Sequence, residues 1–388
     1  MNSNQALRLL NDLTPAQFIA EYWQKKPLLI KNAMPGFTGL LTPEELAGLA
    51  CEEDVQSRIV QNKSGQWTLS NGPFDEDDFS ELPNKDWTLL VQSVNHFLPE
   101  ATDLLSQFDF IPHARLDDLM LSYAPDGGGV GPHFDSYDVF LLQGQGKRLW
   151  RISEQSDLGL VEGAPLRILK QFDTSEEWLL EAGDMLYLPP QIAHWGIAVS
   201  DGGEDCMTYS IGFRAPKHQE LASEFLGFMQ DKLQQDSSLI PGIYQDEDLE
   251  LQTHPAEISS AMVKKVSANL KQISWSDEDV GQFLGSYLSE PKNHVVFEPN
   301  KKISVKAFSD KVAKQGVSLD LKSQMLFFAN QFFINGEALM IEAANQALLR
   351  TLADTRQMPP VLLNEDILLQ RLYDWYLAGY LHISSKVT

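Results

Sequence analysis

The pattern of hydrophobic and polar positions changes twice along the chain, near residues 115 and 215. Before residue 115 the pattern is mainly typical of helices. The segment from Thr42 to Glu45 has the form of a capping box, with Thr42 as the N-cap of a helix that continues through Ala50. Upstream, residues 22–30 indicate a helix end, a break at Pro27 and a short strand. We therefore expect helices ahead of the first change.

Residues 115–214 have a different pattern, in which short apolar or alternating runs are separated by glycine and proline clusters. This pattern is typical of an antiparallel barrel or sandwich, since each run is long enough for one strand and each cluster supplies a turn. The clearest runs are Leu119–Tyr123, Val139–Leu142, Leu149–Ile152, Met185–Leu188 and Met207–Phe213.

After residue 216 the helical pattern returns, with Leu221, Phe225, Met229 and Leu233 at every fourth position. The polar stretch 236–255 reads as a linker, and two more helices are expected between residues 258 and 289. The apolar stripe of the first helix has no evident place against a closed barrel. We therefore expect it to pack against a second copy of the chain, as a homodimer.

The last hundred residues predict helices around a small hairpin, as in a winged-helix-like unit. Asn335-Gly336 is a strong turn signal between two apolar runs, because both residues tolerate positive φ. The elements predicted here are a helix over 304–313, strands around 325–334 and 337–341, and helices over 343–354 and 364–378.

Composition places the chain among globular proteins of more than one domain, since 388 residues exceed the usual size of a single domain. No long uncharged apolar run predicts a membrane span, and the first residues lack the layout of a signal peptide. The two cysteines, Cys51 and Cys206, have no partners at metal spacing. These features predict a soluble protein of the reducing cytoplasm.

The formal net charge of −24 is unevenly distributed. From residue 291 onward, 11 Lys and Arg face 9 Asp and Glu, which leaves about −26 on the first 290 residues. A field of this sign repels phosphate backbones and attracts cationic partners. We therefore expect no direct nucleic-acid binding, and we interpret the charge either as a solubility surface or as a means of steering a basic protein partner.

One motif carries metal chemistry. His133 and Asp135 follow the flexible run 126–132, which is rich in glycine and allows a sharp turn into a strand. On an extended strand residues i and i+2 face the same side, so both side chains are expected to point into the barrel. H-x-D alone is close to chance, and a third ligand must come from elsewhere in the chain.

His194 is the expected third ligand. The segment 183–194 reads as a turn, a buried strand, a turn fixed by Pro189 and Pro190, and then this histidine. Two histidines and one carboxylate form the facial triad typical of non-haem Fe(II) sites, with open positions for substrate and oxygen. Zinc-dependent hydrolysis is a weaker alternative, because the chain contains no HExxH motif.

Arg148 is the expected anchor of a dicarboxylate. The segment 139–152 reads as strand, glycine turn and strand, and in the second strand Arg148 and Trp150 share a face. If Trp150 packs inward, Arg148 enters the barrel too, where an unpaired guanidinium is costly. A bidentate salt bridge to the distal carboxylate of 2-oxoglutarate would satisfy it. Lys147 is the competing anchor if the register is shifted by one residue.

Together these residues resemble the JmjC-type 2-oxoglutarate oxygenases, and among them the bacterial ribosomal oxygenases that hydroxylate an arginine of ribosomal protein uL16. The similarity rests on residues 117–150 and 183–196, and it extends to YWQKKPLLI, NGPFDEDDF and YSIGFRAP. It implies a mainly β fold with helices: a double-stranded β-helix, or cupin-like jelly roll, with N-terminal helices. It also implies a helical dimerisation segment and a winged-helix-like end. The expected domains are 1–216, 217–289 and 290–388.

The resemblance also implies roles for individual residues. The metal ligands fall on His133, Asp135 and His194, the 2-oxoglutarate arginine on Arg148, and Fe(II) and O2 complete the reaction. The residues implied or suggested for an arginine slot are Asp118, Met120, Tyr137 and, as a further candidate, Ser210. Ser122 alternates onto the same face as Asp118 and Met120 and would add a hydroxyl.

Other interpretations remain open at this point. The same chemistry could serve a histidyl hydroxylase or an N-methyl demethylase that acts on a basic protein. A cupin-like binding module without catalysis would only dock on basic partners. Hydroxylation of a nucleic acid conflicts with the strongly negative charge of the first 290 residues.

Overall fold

The computed structural model describes residues 5–200, 203–363 and 367–384. The chain separates into two compact units. The first contains residues 1–215 together with 292–298 and 320–322, and the second contains residues 216–291, 299–319 and 323–388. The predicted division into three domains at residues 216 and 289 stays a prediction.

The first unit combines short helices with twelve strands among the residues described. Its elements in chain order are α1 (Pro15–Glu21), β1 (Leu28–Ile30), α2 (Pro43–Ala50), β2 (Ser57–Lys63), β3 (Gln66–Asn71), α3 (Glu76–Ser80), β4 (Trp87–Val91), α4 (Glu100–Ser106), β5 (Leu116–Ala124), β6 (His133–Phe134), β7 (Asp138–Gln145), β8 (Lys147–Ser153), β9 (Glu176–Glu181), β10 (Met185–Leu188), β11 (Ala193–Val199) and β12 (Cys206–Phe213).

The strands form two antiparallel sheets with the connectivity of a jelly roll. The large sheet has the order β1-β10-β7-β12-β5-β4-β2-β3, and the small sheet has the order β6-β11-β8-β9. Successive strands from β5 to β12 are therefore divided between the two sheets, which is the arrangement of a double-stranded β-helix. All five apolar runs predicted as strands lie within β5, β7, β8, β10 and β12.

The two faces of the large sheet have different partners. One face packs against the N-terminal helices in a core that includes Phe18, Leu46, Leu119, Phe140 and Tyr209. The other face belongs to a smaller apolar cluster between the sheets. Because successive side chains of a strand point to opposite faces, the residues of these two apolar clusters alternate along each strand. The polar residues of the inner face therefore lie inside the barrel.

The helical prediction for residues before 115 is correct only in part. Thr42 caps α2 and Glu45 completes the capping box, as predicted, and the strand at residues 28–30 is present. However, β2, β3 and β4 extend the large sheet instead of adding helices, and all five residues of β4 are buried. A continuous apolar run such as that of β4 does not distinguish a buried strand from a helix by periodicity.

The second unit contains helices and two small sheets. Its elements are α5 (His218–Gln235), α6 (Ser260–Leu270), α7 (Asp277–Ser289), α8 (Val305–Gln315), β13 (Val317–Leu319), β14 (Met325–Phe328), β15 (Gln331–Ile334), β16 (Glu337–Met340), α9 (Ala343–Thr355), β17 (Gln357–Met358), α10 (Ile367–Ala378) and β18 (Leu381–Ile383). Within the described ranges, no helix is long and apolar enough to cross a membrane.

The hairpin prediction in this unit needs one correction. β15 and β16 are joined at Asn335-Gly336, where φ is 51° and 88°, as the sequence indicates. The expected single strand over 325–334 is itself a hairpin of β14 and β15, with Ala329 at the turn and a φ of 51°. Alanine is not a usual residue for positive φ, which explains why no turn was predicted there. Of the predicted helix 364–378, residues 364–366 lie outside the described residues.

The apolar stripe of α5 is partly covered by its own chain. Met229 is buried, and Phe225 packs edge-to-face against Phe283 of α7, with ring centroids 5.4 Å apart. This partner lies in the second unit and not on the barrel, so the predicted packing of the stripe against a second copy of the chain stays a prediction. Exposed apolar side chains remain on α5 at Leu226 and on α6.

Candidate active site

Two neighbouring strands of the small sheet bring the three candidate metal ligands together. β6 and β11 pair antiparallel, with His194 directly opposite His133. β6 is only two residues long, and Asp135 follows immediately after it. The strand that was expected to carry the whole H-x-D motif therefore ends before Asp135. The side chains of His133 and Asp135 nevertheless lie close to that of His194.

The glycine-rich approach to β6 is required by close backbone contacts. A Cβ atom on Gly128 would lie 2.1 Å from the carbonyl oxygen of Trp87, and one on Gly129 would lie 2.4 Å from that of Gly196. Any other residue would push the loop away from both strands. These glycines therefore hold the start of β6 against β11, where His194 is located.

The three side chains form a compact donor set. The donor atoms of His133, Asp135 and His194 all lie within 4.8 Å of one another. Asp135 Oδ2 is 3.6 Å from His194 Nε2 and 4.0 Å from His133 Nε2. Two imidazoles and one carboxylate are a donor set that fits a single metal ion with free positions for other ligands.

Backbone carbonyls orient both imidazoles. His133 Nδ1 lies 2.9 Å from the Gly131 oxygen, and His194 Nδ1 lies 2.9 Å from the Ile192 oxygen. When Nδ1 donates to these carbonyls, the Nε2 lone pair of each ring is free and faces the shared point. Burial, together with the neighbouring His133, lowers the pKa of His194 to about 4, so this ring is neutral and ready to bind a metal near pH 7.

Arg148 lies inside the barrel, and no described residue forms an ion pair with it. Its side chain is buried together with Trp150 and Ile152 on the inner face of β8. Within the described part of the chain, its Nε and Nη2 atoms have no hydrogen-bond partner. A buried guanidinium in this state calls for an anion, and the distal carboxylate of a dicarboxylic acid fits it.

Lys147 does not compete for this position. It points away from the barrel and pairs with Glu181 at 2.8 Å, and its side chain is about half exposed. The register of β8 is therefore the one in which Arg148 faces inward and Lys147 faces solvent.

A cavity of about 680 Å³ lies in the same unit. All four candidate substrate residues line it, namely Asp118, Met120, Tyr137 and Ser210. Ser122 is an exception to the expectation, because it is buried further along β5 and does not line the cavity. The three metal-binding candidates do not line it either, and Tyr137 is the cavity residue nearest to them in sequence.

Asp118 provides a buried carboxylate at this cavity. It is 5% exposed, and its Oδ2 accepts hydrogen bonds from Ser93 Oγ at 2.9 Å and from Gln92 Nε2 at 3.1 Å. No described residue donates a hydrogen bond to Oδ1, which lies near Gly212, another residue of the cavity. One oxygen is therefore fixed by the protein, and the other is available to a cationic ligand.

Tyr137 connects the cavity with the triad. Although the residue as a whole is 36% exposed, desolvation of its hydroxyl raises the pKa above the usual range, and the carboxylates of Asp135, Asp118 and Asp117 raise it further. The hydroxyl therefore stays protonated at neutral pH and can donate a hydrogen bond, while the ring offers an aromatic face to a cation.

Comparison with known proteins gives a consistent result. Residues 103–221 match the family model described as JmjC domain, and residues 269–382 match the model described as ROXA-like winged helix. The chain is 38% identical over 285 residues to the ribosomal protein uL16 3-hydroxylase of Escherichia coli, which covers 73% of each chain. The chain belongs to the ribosomal oxygenase family.

Other members of this family support the assignment. A probable ribosomal oxygenase of Haemophilus influenzae is 41% identical over 214 residues, or 54% of this chain and 52% of that protein. The X-ray structure of YcfD from Escherichia coli superposes with a TM-score of 0.83 at 31% identity, and covers 95% of this chain and 98% of its own. Another structure of that ribosomal oxygenase contains cobalt and 2-oxoglutarate, with a TM-score of 0.79, 30% identity and coverage of 95% and 98%.

The family assignment confirms the predicted fold class, a JmjC double-stranded β-helix with helices and a C-terminal winged helix. It also confirms the expectation of a 2-oxoglutarate-dependent oxygenase that binds a metal. The interpretation as a binding module without catalysis is therefore set aside. The roles of the individual site residues stay predictions, which the geometry described above supports.

Sequence reasoning missed several residues of the cavity. Gln92 lines the cavity and precedes β5 by more than twenty residues, and His294, which also lines it, follows the end of β5 by 170 residues. No spacing rule connects these positions to Asp118. The only available signal was chemical: a buried Asp requires hydrogen-bond donors, but the sequence does not say which ones.

Proposed function

We propose that this protein is an Fe(II)- and 2-oxoglutarate-dependent hydroxylase that acts on an arginine side chain of a basic ribosomal protein of the uL16 type. The products are hydroxyarginine, succinate and CO2. The substrate class follows from the name of the Escherichia coli relative, a uL16 3-hydroxylase, and from the cation-binding character of the cavity. As the resident metal we propose Fe(II), which suits two neutral imidazoles and one carboxylate.

One observation carries this proposal furthest: the buried Asp118 carboxylate, with one unoccupied oxygen, shares its cavity with Met120 and Tyr137. An acid, an apolar wall and an aromatic ring together suit a guanidinium on an aliphatic stem better than a neutral imidazole. Asp118 would hold the guanidinium, Met120 would contact the methylenes, and the ring of Tyr137 would lie on the side toward the triad.

The chain's own residues do the work of binding and orientation. His133, Asp135 and His194 would hold the metal, with both imidazoles fixed by the carbonyls of Gly131 and Ile192. Arg148 would bind the distal carboxylate of 2-oxoglutarate within the barrel, where water is excluded. When both groups are bound, oxidative decarboxylation of 2-oxoglutarate by O2 yields succinate and CO2, and the second oxygen atom enters a C–H bond of the substrate.

No protein acid or base is required for the attack on the C–H bond. What the protein contributes is position, because the bound guanidinium determines which methylene lies nearest the metal. Tyr137, protonated at neutral pH, can donate a hydrogen bond without giving up its proton.

Mass spectrometry of the product tests the proposal. Purified protein is incubated with Fe(II), 2-oxoglutarate, O2 and a uL16-type ribosomal protein. We expect a mass increase of about 16 Da on one arginine, with one succinate released per hydroxylation. The same increase on a histidine would support a histidyl hydroxylase, and a loss of about 14 Da would indicate N-demethylation, so either result overturns arginine hydroxylation.

Two carboxylates of the same cavity provide a matched comparison. Asp118→Asn keeps the shape of the side chain but removes the charge, and we expect kcat/KM for the arginine substrate to fall roughly a hundredfold. Asp54→Asn removes a more exposed carboxylate that lines the same cavity and pairs with Lys322, and its effect should be several times smaller. Equal effects would place the guanidinium away from Asp118.

The protein is also proposed to act as a homodimer through its helical segment. Exposed apolar side chains on α6 support this assembly, since Val263 and Leu270 are 55% and 60% exposed. The basic partner and the negative charge of the first 290 residues are complementary, which would speed the encounter of enzyme and substrate.

A further inference from the structure

A segment distant in sequence forms part of the cavity. Residues 292–298 belong by their contacts to the first unit, although the JmjC match ends at residue 221. His294 lines the cavity, and the Val296 carbonyl accepts a hydrogen bond from Lys322 Nζ at 3.2 Å. Lys322 in turn pairs with Asp54, another cavity residue, at 3.2 Å. The segment is therefore attached to the wall of the cavity.

Lys292 places a positive charge at the carboxylate that the proposed substrate requires. Its Nζ lies 3.0 Å from Asp117 Oδ1 and 3.5 Å from Asp118 Oδ2. Asp117 has a second cation, since Arg214 Nε lies 3.2 Å from the same oxygen. For Asp118, Lys292 is the one cation within salt-bridge distance among the described residues. Its other two partners, Gln92 and Ser93, are neutral.

Burial of a carboxylate without a nearby cation is costly, so Lys292 stabilises the charged form of Asp118 when no substrate is present. A substrate guanidinium at Oδ1 would satisfy the same need. The two cations would then lie on opposite oxygens of one carboxylate, where they repel each other. The Lys292 side chain is about one third exposed, and its flexible stem allows the ammonium to move out into solvent.

We propose that Lys292 is an internal cation that competes with the substrate's arginine for Asp118. It compensates the buried carboxylate in the free enzyme and weakens substrate binding, because the entering guanidinium must displace it or bear its repulsion. This inference rests on the proposed function, since it requires Asp118 to be the site of the guanidinium. Lys292 contacts none of His133, Asp135 and His194, so it acts on substrate binding and leaves metal and 2-oxoglutarate binding alone.

Steady-state kinetics of two variants test this proposal. Lys292→Met keeps most of the stem and removes the charge, whereas Lys292→Arg keeps the charge. For a peptide with a single arginine, Lys292→Met should lower KM about threefold to tenfold, with kcat and the KM for 2-oxoglutarate unchanged. Lys292→Arg should not lower KM. Lys265→Met is the matched control, because it removes a lysine from an ion pair with Asp248, in the second unit.

Binding measured without turnover separates this inference from the proposed function. Calorimetry with acetyl-arginine amide, in the presence of Mn(II) and 2-oxoglutarate and without O2, should show tighter binding to Lys292→Met than to the wild type. Tighter binding without any hydroxylation would uphold the competition and overturn the proposed reaction. Hydroxylation by the wild type with an unchanged or higher KM in Lys292→Met would overturn the competition alone. Circular dichroism confirms that each variant is folded.

Discussion

At the scale of single residues, the site contains a buried guanidinium that is costly to the ligand-free fold and that we propose as the anchor of an anion. Arg148 is 5% exposed, and the structure gives its Nε and Nη2 no partner among the residues described. Such a guanidinium destabilises the ligand-free protein. We propose that 2-oxoglutarate removes this cost when it binds, which would make Arg148 a strong determinant of co-substrate affinity.

Replacement of Arg148 should therefore affect stability and binding in opposite directions. Arg148→Met is expected to stabilise the ligand-free protein by about 1 to 3 kcal/mol, since an apolar side chain replaces an unpaired buried charge. It should weaken 2-oxoglutarate binding roughly a hundredfold. Thermal unfolding with Mn(II), with and without 2-oxoglutarate, measures both effects.

Arg151→Met is the control for this experiment, because Arg151 lies on the outer side of the same strand and pairs with Glu177 at 2.7 Å. Its thermal shift on addition of 2-oxoglutarate should equal that of the wild type. A normal 2-oxoglutarate shift in Arg148→Met would show that the co-substrate carboxylate binds elsewhere.

His294 reports on the position of the Lys292 ammonium. Burial and Lys292 lower the pKa of His294, while Asp118 opposes them. Because the folded-state pKa is depressed, protonation of His294 opposes folding, and this loss of stability develops as the pH falls through about 6.5. Lys292→Met removes the repulsion, so the His294 pKa should rise. Proton–carbon NMR titration of the His294 ring measures this pKa. An unchanged pKa would show that the Lys292 ammonium does not lie close to His294 in solution.

The metal site could be predicted at this scale because most of it depends on local geometry. His133 and Asp135 are two residues apart, and His194 follows a turn that the sequence marks with two prolines. Lys292 could not be predicted, because a contact with Asp118 across more than one hundred and seventy residues depends on the path of the whole chain. Ser122 was misplaced because the alternation rule gives the face of a strand but not the depth of the cavity.

At the scale of elements, runs bounded by glycine and proline gave correct strands, whereas β2, β3 and β4 were missed. β3 alternates between exposed polar residues and half-buried Trp67 and Leu69, but these are its only two apolar side chains, whereas β4 is buried at every position and so lacks the alternation of a strand with one covered face. The hairpin between β14 and β15 was missed because Ala329 takes a positive φ without a usual turn residue. In both cases tertiary contacts override local preference.

The hairpin at Asn335-Gly336 offers a test of backbone conformation. A Cβ on Gly336 would meet only Glu290, at 3.6 Å, which is an ordinary contact, so its φ of 88° alone makes alanine unfavourable. Gly336→Ala should destabilise the protein by about 1 kcal/mol. Gly227 lies within α5, and a Cβ there would meet nothing within 4 Å. Gly227→Ala should therefore stabilise the protein by about 0.5 to 1 kcal/mol.

Urea denaturation of the two alanine variants measures this difference. Both substitutions lie in the second unit and add the same methyl group. Opposite signs of the change in unfolding free energy would therefore be due to the backbone φ and not to the added methyl group. Destabilisation by Gly227→Ala as large as that by Gly336→Ala would contradict the explanation from φ.

At the scale of the whole molecule, the charge and the cavity favour the same class of substrate. The first 290 residues carry about −26, and the cavity is lined by Glu53, Asp54, Asp117 and Asp118. If a basic protein is the substrate, as proposed, long-range attraction would guide it toward a surface whose carboxylates suit its side chains. The internal cation Lys292 offsets part of that attraction at the one carboxylate proposed to select arginine.

The remaining whole-molecule prediction concerns assembly. Four apolar side chains of α6 are exposed to solvent, namely Met262, Val263, Val266 and Leu270. Their spacing places them along one side of the helix, as expected for a surface that packs against another copy. Multi-angle light scattering should give twice the mass of one chain for the wild type. The double substitution Val263→Glu and Val266→Glu should give the monomer mass, because dimerisation would bury two charges from each chain.

Met340→Glu is the matched control for this assembly, since Met340 lies on β16, away from α6 in sequence, and is 71% exposed. It introduces the same charge on another exposed apolar position, and the mass should remain that of a dimer. A wild-type chain with the monomer mass at micromolar concentration would disprove the homodimer. A dimer mass for the doubly substituted protein would show that the interface lies on another surface. The free-energy cost of burying two opposed pairs of glutamates would exceed the stabilisation that the apolar contact between the α6 helices provides.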